Sequence, residues 1–204
     1  IDGKTIEKTT TQAPQDQMAA VKGPHKHFML KEIYEQPESM MNSMRGRVEF
    51  DTAKIVLDEI PYTTDELNKI ERVILIGMGT SLYAGMVGRM WLESFARIPA
   101  GTDNASEFRY QNPIIDDKTL VVSISQSGET ADTLAAMELA QRYGVRQLAV
   151  CNTEGSQATR VADATMLIRS GLEVGVAASK TFTSMLSALL MLSLYLKNKL
   201  LQVE

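Results

Sequence analysis

Residues 120–130 read LVVSISQSGET, and the fold follows from that stretch. Four of its first five residues are apolar, with β-branched side chains prominent, which is the pattern of a strand buried on both faces as in a parallel sheet. At Ser125 the character changes to a short polar run, Ser125, Gln126, Ser127, Gly128, Glu129 and Thr130, and ADTLAAMELAQRYG after it reads as a helix. A strand, a tight polar turn and a helix N-terminus therefore follow one another. The first amides of a helix lack partners and carry the positive end of its dipole, so an anion is stabilised there. Gly128 lets the backbone approach a ligand, and Ser125, Ser127 and Thr130 add hydroxyl donors suited to phosphate oxygens. The plain alternative is a Ser/Thr-rich helix cap.

Working outward, the same unit recurs. Val73–Ile76 predicts a strand, Gly77 to Ser81 its turn, and Leu82–Phe95 a helix; a weak strand is expected at Gly101–Asn104, and further strands at Gln147–Cys151 and Ala164–Ile168. A short helix opens at Gly155-Ser156 and runs to Ala162, and an apolar helix covers Thr181–Leu196. Strand alternates with helix, which makes a doubly wound parallel sheet with its ligand beyond the carboxyl ends of the strands, where strand order reverses. Both donor-rich turns fall at such ends. A dinucleotide site at Gly77 departs from G-x-G-x-x-G, since Leu82 stands where the last glycine belongs, although Asp103 falls where a ribose-binding acid would.

Upstream, Phe28–Val48 is helical with Pro37 expected to break it, a helix is expected between Ile55 and Ile60, and another after Thr63 or Thr64 with Asp65 and Glu66 in its first turn. Residues 1–24 are polar, with Thr9, Thr10 and Thr11 in a row, and read as a linker. The 204 residues, 44 % of them hydrophobic, can bury a full core. A net charge of −4 offers no footprint for nucleic acid. The single cysteine, Cys151, excludes an internal disulfide, suits a reducing compartment, and ends an apolar run as a buried thiol would. The beginning at Ile1, with no signal peptide, is read as a piece of a longer cytoplasmic protein. His25 and His27 lack the carboxylates or thiols of a metal site. The 181–196 run is too short and too rich in Ser and Thr for a membrane span, and its apolar residues go nearly all round, so one face is expected to pack on the sheet and the other on something outside the chain, most simply a second copy.

Five pieces carry a family resemblance: HKHFMLKEIYEQP at His25–Pro37, GTS at Gly79–Ser81, ASEFRY at Ala105–Tyr110, SQSGETADT at Ser125–Thr133 and EVGVAASKTFT from Glu173. The chain resembles the first sugar-isomerase (SIS) domain, with its preceding linker, of the glutamine–fructose-6-phosphate aminotransferase family. The resemblance implies a linker over 1–24 and an SIS domain over 25–204, built as a three-layer α/β/α fold on a five-stranded, flavodoxin-like parallel sheet. It implies that Ser81, Ser125, Gln126, Ser127 and Thr130 bind the phosphate of fructose 6-phosphate or glucosamine 6-phosphate, with Met78, Gly79, Thr80, Val176 and Ala178 near the sugar. Met78 stands where the family has cysteine, and Ala178 where it has serine.

In that family the glutaminase is a separate N-terminal domain, and the isomerisation base, Schiff-base lysine and ring-opening histidine belong to the second SIS domain, the C-terminal tail and a partner subunit. No catalytic residue is therefore expected here, nor a cofactor or metal. Glu129 is explained by the helix dipole and Lys180 as a solvated lysine near the mouth. The expected assembly is a cytoplasmic homodimer working with the parent's other domains. The alternatives are a non-catalytic sugar-phosphate sensor and a complete small isomerase.

Overall fold

The computed structural model describes residues 21–200. Residues 1–20 of the expected linker lie outside them. The described elements are α1 (Phe28–Met44), β1 (Val48–Glu49), β2 (Lys54–Ile55), α2 (Thr64–Leu67), β3 (Arg72–Gly77), α3 (Thr80–Trp91), a π-turn over Leu92–Ala96, β4 (Ala100–Asn104), α4 (Ala105–Phe108), β5 (Thr119–Ser125), α5 (Ala131–Arg142), β6 (Arg146–Cys151), α6 (Gln157–Val161), β7 (Ala164–Leu167) and α7 (Lys180–Leu200). All seven residues of β5 are buried, as a central strand requires.

The five long strands form one parallel sheet in the order β4-β3-β5-β6-β7. Counted within the sheet this is 2-1-3-4-5, the flavodoxin-like order, so strand order reverses between β3 and β5. Alternation along the strands splits the core into two layers. Leu75, Val122, Ile124 and Val150 pack with Ala84 of α3 and with Met185, Leu189 and Leu192 of α7. Ile76, Val121 and Ala149 face Ala136, Met137 and Ala140 of α5, Phe108 of α4 and Ala158 of α6. Helices thus cover both faces, completing three layers.

Four local expectations are corrected. Pro37 lies inside α1 without breaking it. Proline at that position cannot donate to the Ile33 carbonyl one turn earlier, and the Gln36 amide donates to that carbonyl at 3.0 Å instead. No helix forms between Ile55 and Ile60: Ile55 closes the β1–β2 hairpin, which pairs Val48 with Ile55 and Glu49 with Lys54, and residues 56–60 continue as an irregular stretch with a turn at Asp58 and Glu59. The helix expected to run through Phe95 widens into the π-turn at Leu92 and ends where Arg97 turns left-handed. The last concerns α7, whose second face is covered within the chain by α1 and α2, so its apolar girth is core. No helix among the described residues is long and apolar enough to cross a membrane.

Candidate functional site

The β3–α3 and β5–α5 turns stand side by side, because Gly77 pairs with Ile124 across the two strands that flank the reversal. In the first turn Gly79 is the N-cap of α3 at φ +54°, a conformation that glycine adopts without penalty. Gly77 is equally constrained: a Cβ there would lie 3.0 Å from the Leu82 nitrogen. Ser81 is buried, donates its N–H to the Met78 carbonyl at 3.1 Å, and places Oγ 3.7 Å from Met185 Sδ of α7. Gly79 and Thr80 are exposed at the rim and Met78 is half-buried.

The second turn is wired more densely. Ser125 Oγ accepts the Gly128 N–H at 3.0 Å and lies 3.4 Å from Thr130 Oγ1. Ser127 Oγ accepts the Glu129 N–H at 3.1 Å. The Gln126 and Gly128 carbonyls accept from the N–H groups of Asn152 and Ala158, at 3.1 and 3.0 Å, which ties the turn to the end of β6 and to α6. Thr130 is the N-cap of α5, yet its side chain makes no capping hydrogen bond. The first-turn amides of Ala131, Asp132 and Thr133 therefore have no acceptor among the described residues, and the buried Thr133 hydroxyl has none either. The Thr130 side chain is therefore not the cap of α5, whereas Ser125 and Ser127 satisfy amides within the turn. What remains is an array of hydroxyls and amides at the positive end of a helix dipole, which is what an oxyanion needs.

The ionisable residues nearby are engaged elsewhere. Glu129 accepts the Gln157 N–H at 2.8 Å, so it serves α6 rather than the α5 dipole. Lys180 is not solvated as expected: it is 4 % exposed and its Nζ contacts Glu35 Oε2 at 2.8 Å. Its place at the start of α7, beneath α1, buries the stem, and an ammonium at that depth needs a carboxylate partner. Arg109 lies 3.5 Å from Asp132. Asp103 accepts from the Gln111 side chain at 3.2 Å. Burial raises the Cys151 thiol above its ordinary value, which keeps it protonated and inert. No group of three or more metal-binding side chains occurs among the described residues.

The loop between β7 and α7 carries Val176 and Ala178. Val176 is fully exposed, so its side chain packs against nothing, and Ala178 is half-buried. The structure thus brings Ser125 and Thr130 together, sets Ser81 at the adjacent turn, and leaves Val176 and Ala178 on a separate loop at the same end of the sheet. Asn152 links that loop to the second turn by accepting the Ser170 N–H at 2.8 Å and donating to the Gly171 carbonyl at 2.7 Å. The sequence reading missed Asn152 and Thr133, whose signal, a polar residue just past a buried strand or in a helix's first turn, is common to ordinary caps. A cleft of about 500 Å³, lined by Tyr62, Glu66, Arg146 and Asp163, lies at the opposite, amino end of β6 and away from these turns.

The SIS domain family model matches residues 66–195. The glutamine–fructose-6-phosphate aminotransferase (isomerizing) of Caldanaerobacter subterraneus subsp. tengcongensis is 46 % identical over 192 residues, covering 94 % of this chain and 31 % of the relative. That of Vibrio parahaemolyticus is 43 % identical over 194 residues, covering 94 % and 32 %. The chain therefore spans about a third of the length of the curated relatives it matches. Among solved structures, the C-terminal domain of glucosamine-fructose-6-phosphate aminotransferase from Francisella tularensis superposes with a TM-score of 0.83 at 35 % identity, over 90 % of this chain and 51 % of that one. The tagatose-6-phosphate ketose/aldose isomerase from Escherichia coli shares the fold, with a TM-score of 0.68 at 19 % identity over 80 % of this chain and 46 % of that one.

Proposed function

Because the chain belongs to the SIS domain family, we propose that it is the sugar-phosphate-binding half of the isomerase part of a glutamine–fructose-6-phosphate aminotransferase, and that it holds the phosphate of fructose 6-phosphate or glucosamine 6-phosphate. The observation that carries the proposal is Thr130: an N-cap threonine whose hydroxyl does not cap, 3.4 Å from the Ser125 hydroxyl, at a helix start whose amides are unengaged among the described residues. Ser125, Ser127, Thr130 and the amides of α5 are the primary phosphate donors, with Ser81 and Gln126 completing the ring from the neighbouring turn and the turn's base. Met78, Gly79, Thr80, Val176 and Ala178 are the sugar-facing set. The domain extends to residue 25, beyond the matched segment, since α1 packs along α7.

The same reading includes the parent's glutaminase and second SIS domains as partners, a cytoplasmic setting and a homodimer. With α7 covered, the support for a dimer moves to the exposed Tyr83, Met86 and Met90 along α3, and a sedimentation mass decides it. The cradle orients a substrate but does not move a proton. General acid–base catalysis needs a titratable group within hydrogen-bond reach of the reacting carbon's proton, whereas Glu129 and Lys180 are committed to other partners. The chain alone is expected to bind fructose 6-phosphate without isomerising it. NMR of fructose 6-phosphate in deuterated water with the purified chain tests both halves: ligand broadening without exchange at C1 or C2 is expected, and exchange well above the protein-free rate would place a base in this domain.

A further inference from the structure

Two carboxylates bracket the loop between β7 and α7, and neither belongs to the phosphate turns. Glu32 of α1 is 1 % exposed. Its Oε1 accepts the Val174 N–H at 2.6 Å and the Gly175 N–H at 3.1 Å, and Oε2 also lies 3.1 Å from the Gly175 nitrogen. A carboxylate removed from water is costly unless donors fill its lone pairs, and here main-chain donors from a distant loop fill them. The fit leaves no slack, because a Cβ on Gly175 would collide with Glu32 Oε2 and lie 3.3 Å from Met29 Cε. At the other end Glu173 Oε1 accepts the Ser179 N–H at 2.9 Å, and its Oε2 accepts the Thr181 hydroxyl. Between these two staples, the N–H groups of Val176, Ala177 and Ala178 have no acceptor among the described residues. Three consecutive donors are thus held open. They stand at the same end of the sheet as the phosphate turns, since Ser81 touches Met185 in the second turn of α7 and Asn152 joins the β7 end to Gln126.

We propose that Glu32 is a positioning residue, holding the Val176–Ala178 amides where hydroxyl oxygens of a bound sugar phosphate accept from them. The turns then set the affinity for phosphate, while α1, acting through Glu32, sets what the Val176–Ala178 loop adds to the affinity for the sugar. This inference rests on the phosphate site proposed above. Its test is calorimetric titration of fructose 6-phosphate and of inorganic phosphate into the full chain, as wild type, Glu32→Gln, Gly175→Ala, Glu32→Ala and the Glu32→Ala/Gly175→Ala double variant. Losing the sugar's hydrogen bonds to two or three of these amides should cost on the order of tenfold in fructose 6-phosphate affinity. Inorganic phosphate affinity should stay unchanged, which also shows that the variants are folded. The double variant should bind no worse than Glu32→Ala, because the atom that Gly175 avoids is gone. Equal losses for both ligands, or an unchanged fructose 6-phosphate affinity, would overturn the role given to Glu32. A wild type that binds neither probe would instead overturn the phosphate site itself, and this inference with it.

Discussion

At the scale of single residues, Gly128 shows how completely the polar turn is specified. Its φ is +66°, and a Cβ there would lie 2.7 Å from Ser156 Cβ at the start of α6. Both the backbone conformation and the neighbour therefore exclude a side chain. Gly128→Ala should lower stability by about 1–3 kcal/mol, read as a shifted urea midpoint, and a Ser156→Gly companion should recover part of the loss. An unchanged midpoint would show that the turn is soft. That a glycine was needed was legible in SQSGET, and so was the cluster of hydroxyls; that Ser156 lies behind the glycine was not, because 28 positions separate them. Lys180 shows the same limit. Only the tertiary contact with Glu35 distinguishes a buried, paired lysine from a solvated one.

At the scale of elements, the strands were legible because a buried parallel strand writes a short apolar run, as LVVSI in β5 and LAVC in β6 do. The edge strand β4, AGTDN, is half-buried throughout and correspondingly weak in sequence. Residues 55–60 failed because only Ile55 belongs to a strand, of two residues, and the irregular stretch after it leaves no period to read. The start of α2 was readable from Thr63, Asp65 and Glu66, and the structure shows a full capping box there. Glu66 is drawn from its ordinary 4.5 to about 2, first by the Thr63 backbone N–H and then by Arg146. A depressed carboxyl stabilises the fold above its unfolded value and loses that contribution as pH falls towards its folded one. The melting temperature of Glu66→Gln should therefore lie below wild type near neutral pH, with the gap closing between pH 4.5 and about 2. A gap that is constant across that range would mean the charge of Glu66 contributes nothing.

At the scale of the whole molecule, the functional consequence comes from strand order. Alternating elements announce a doubly wound sheet, but only the observed order β4-β3-β5-β6-β7 places the reversal between β3 and β5 and so makes neighbours of two turns 44 residues apart, at Ser81 and Ser125. The loop carrying Val176 comes off the edge strand β7, tied down by α1, and no local pattern in the sequence shows that Glu32 reaches it. In the proposed function, the turn at Ser125–Thr130 holds a phosphate. Calorimetric titration of fructose 6-phosphate into the wild-type chain and into Thr130→Val, which keeps the shape and removes one donor, measures this most directly. A hydrogen bond to a charged group is worth about 1.5–3 kcal/mol, so affinity should weaken on the order of tenfold or more, with inorganic phosphate weakened in parallel. Equal affinity of wild type and Thr130→Val for both ligands would contradict it.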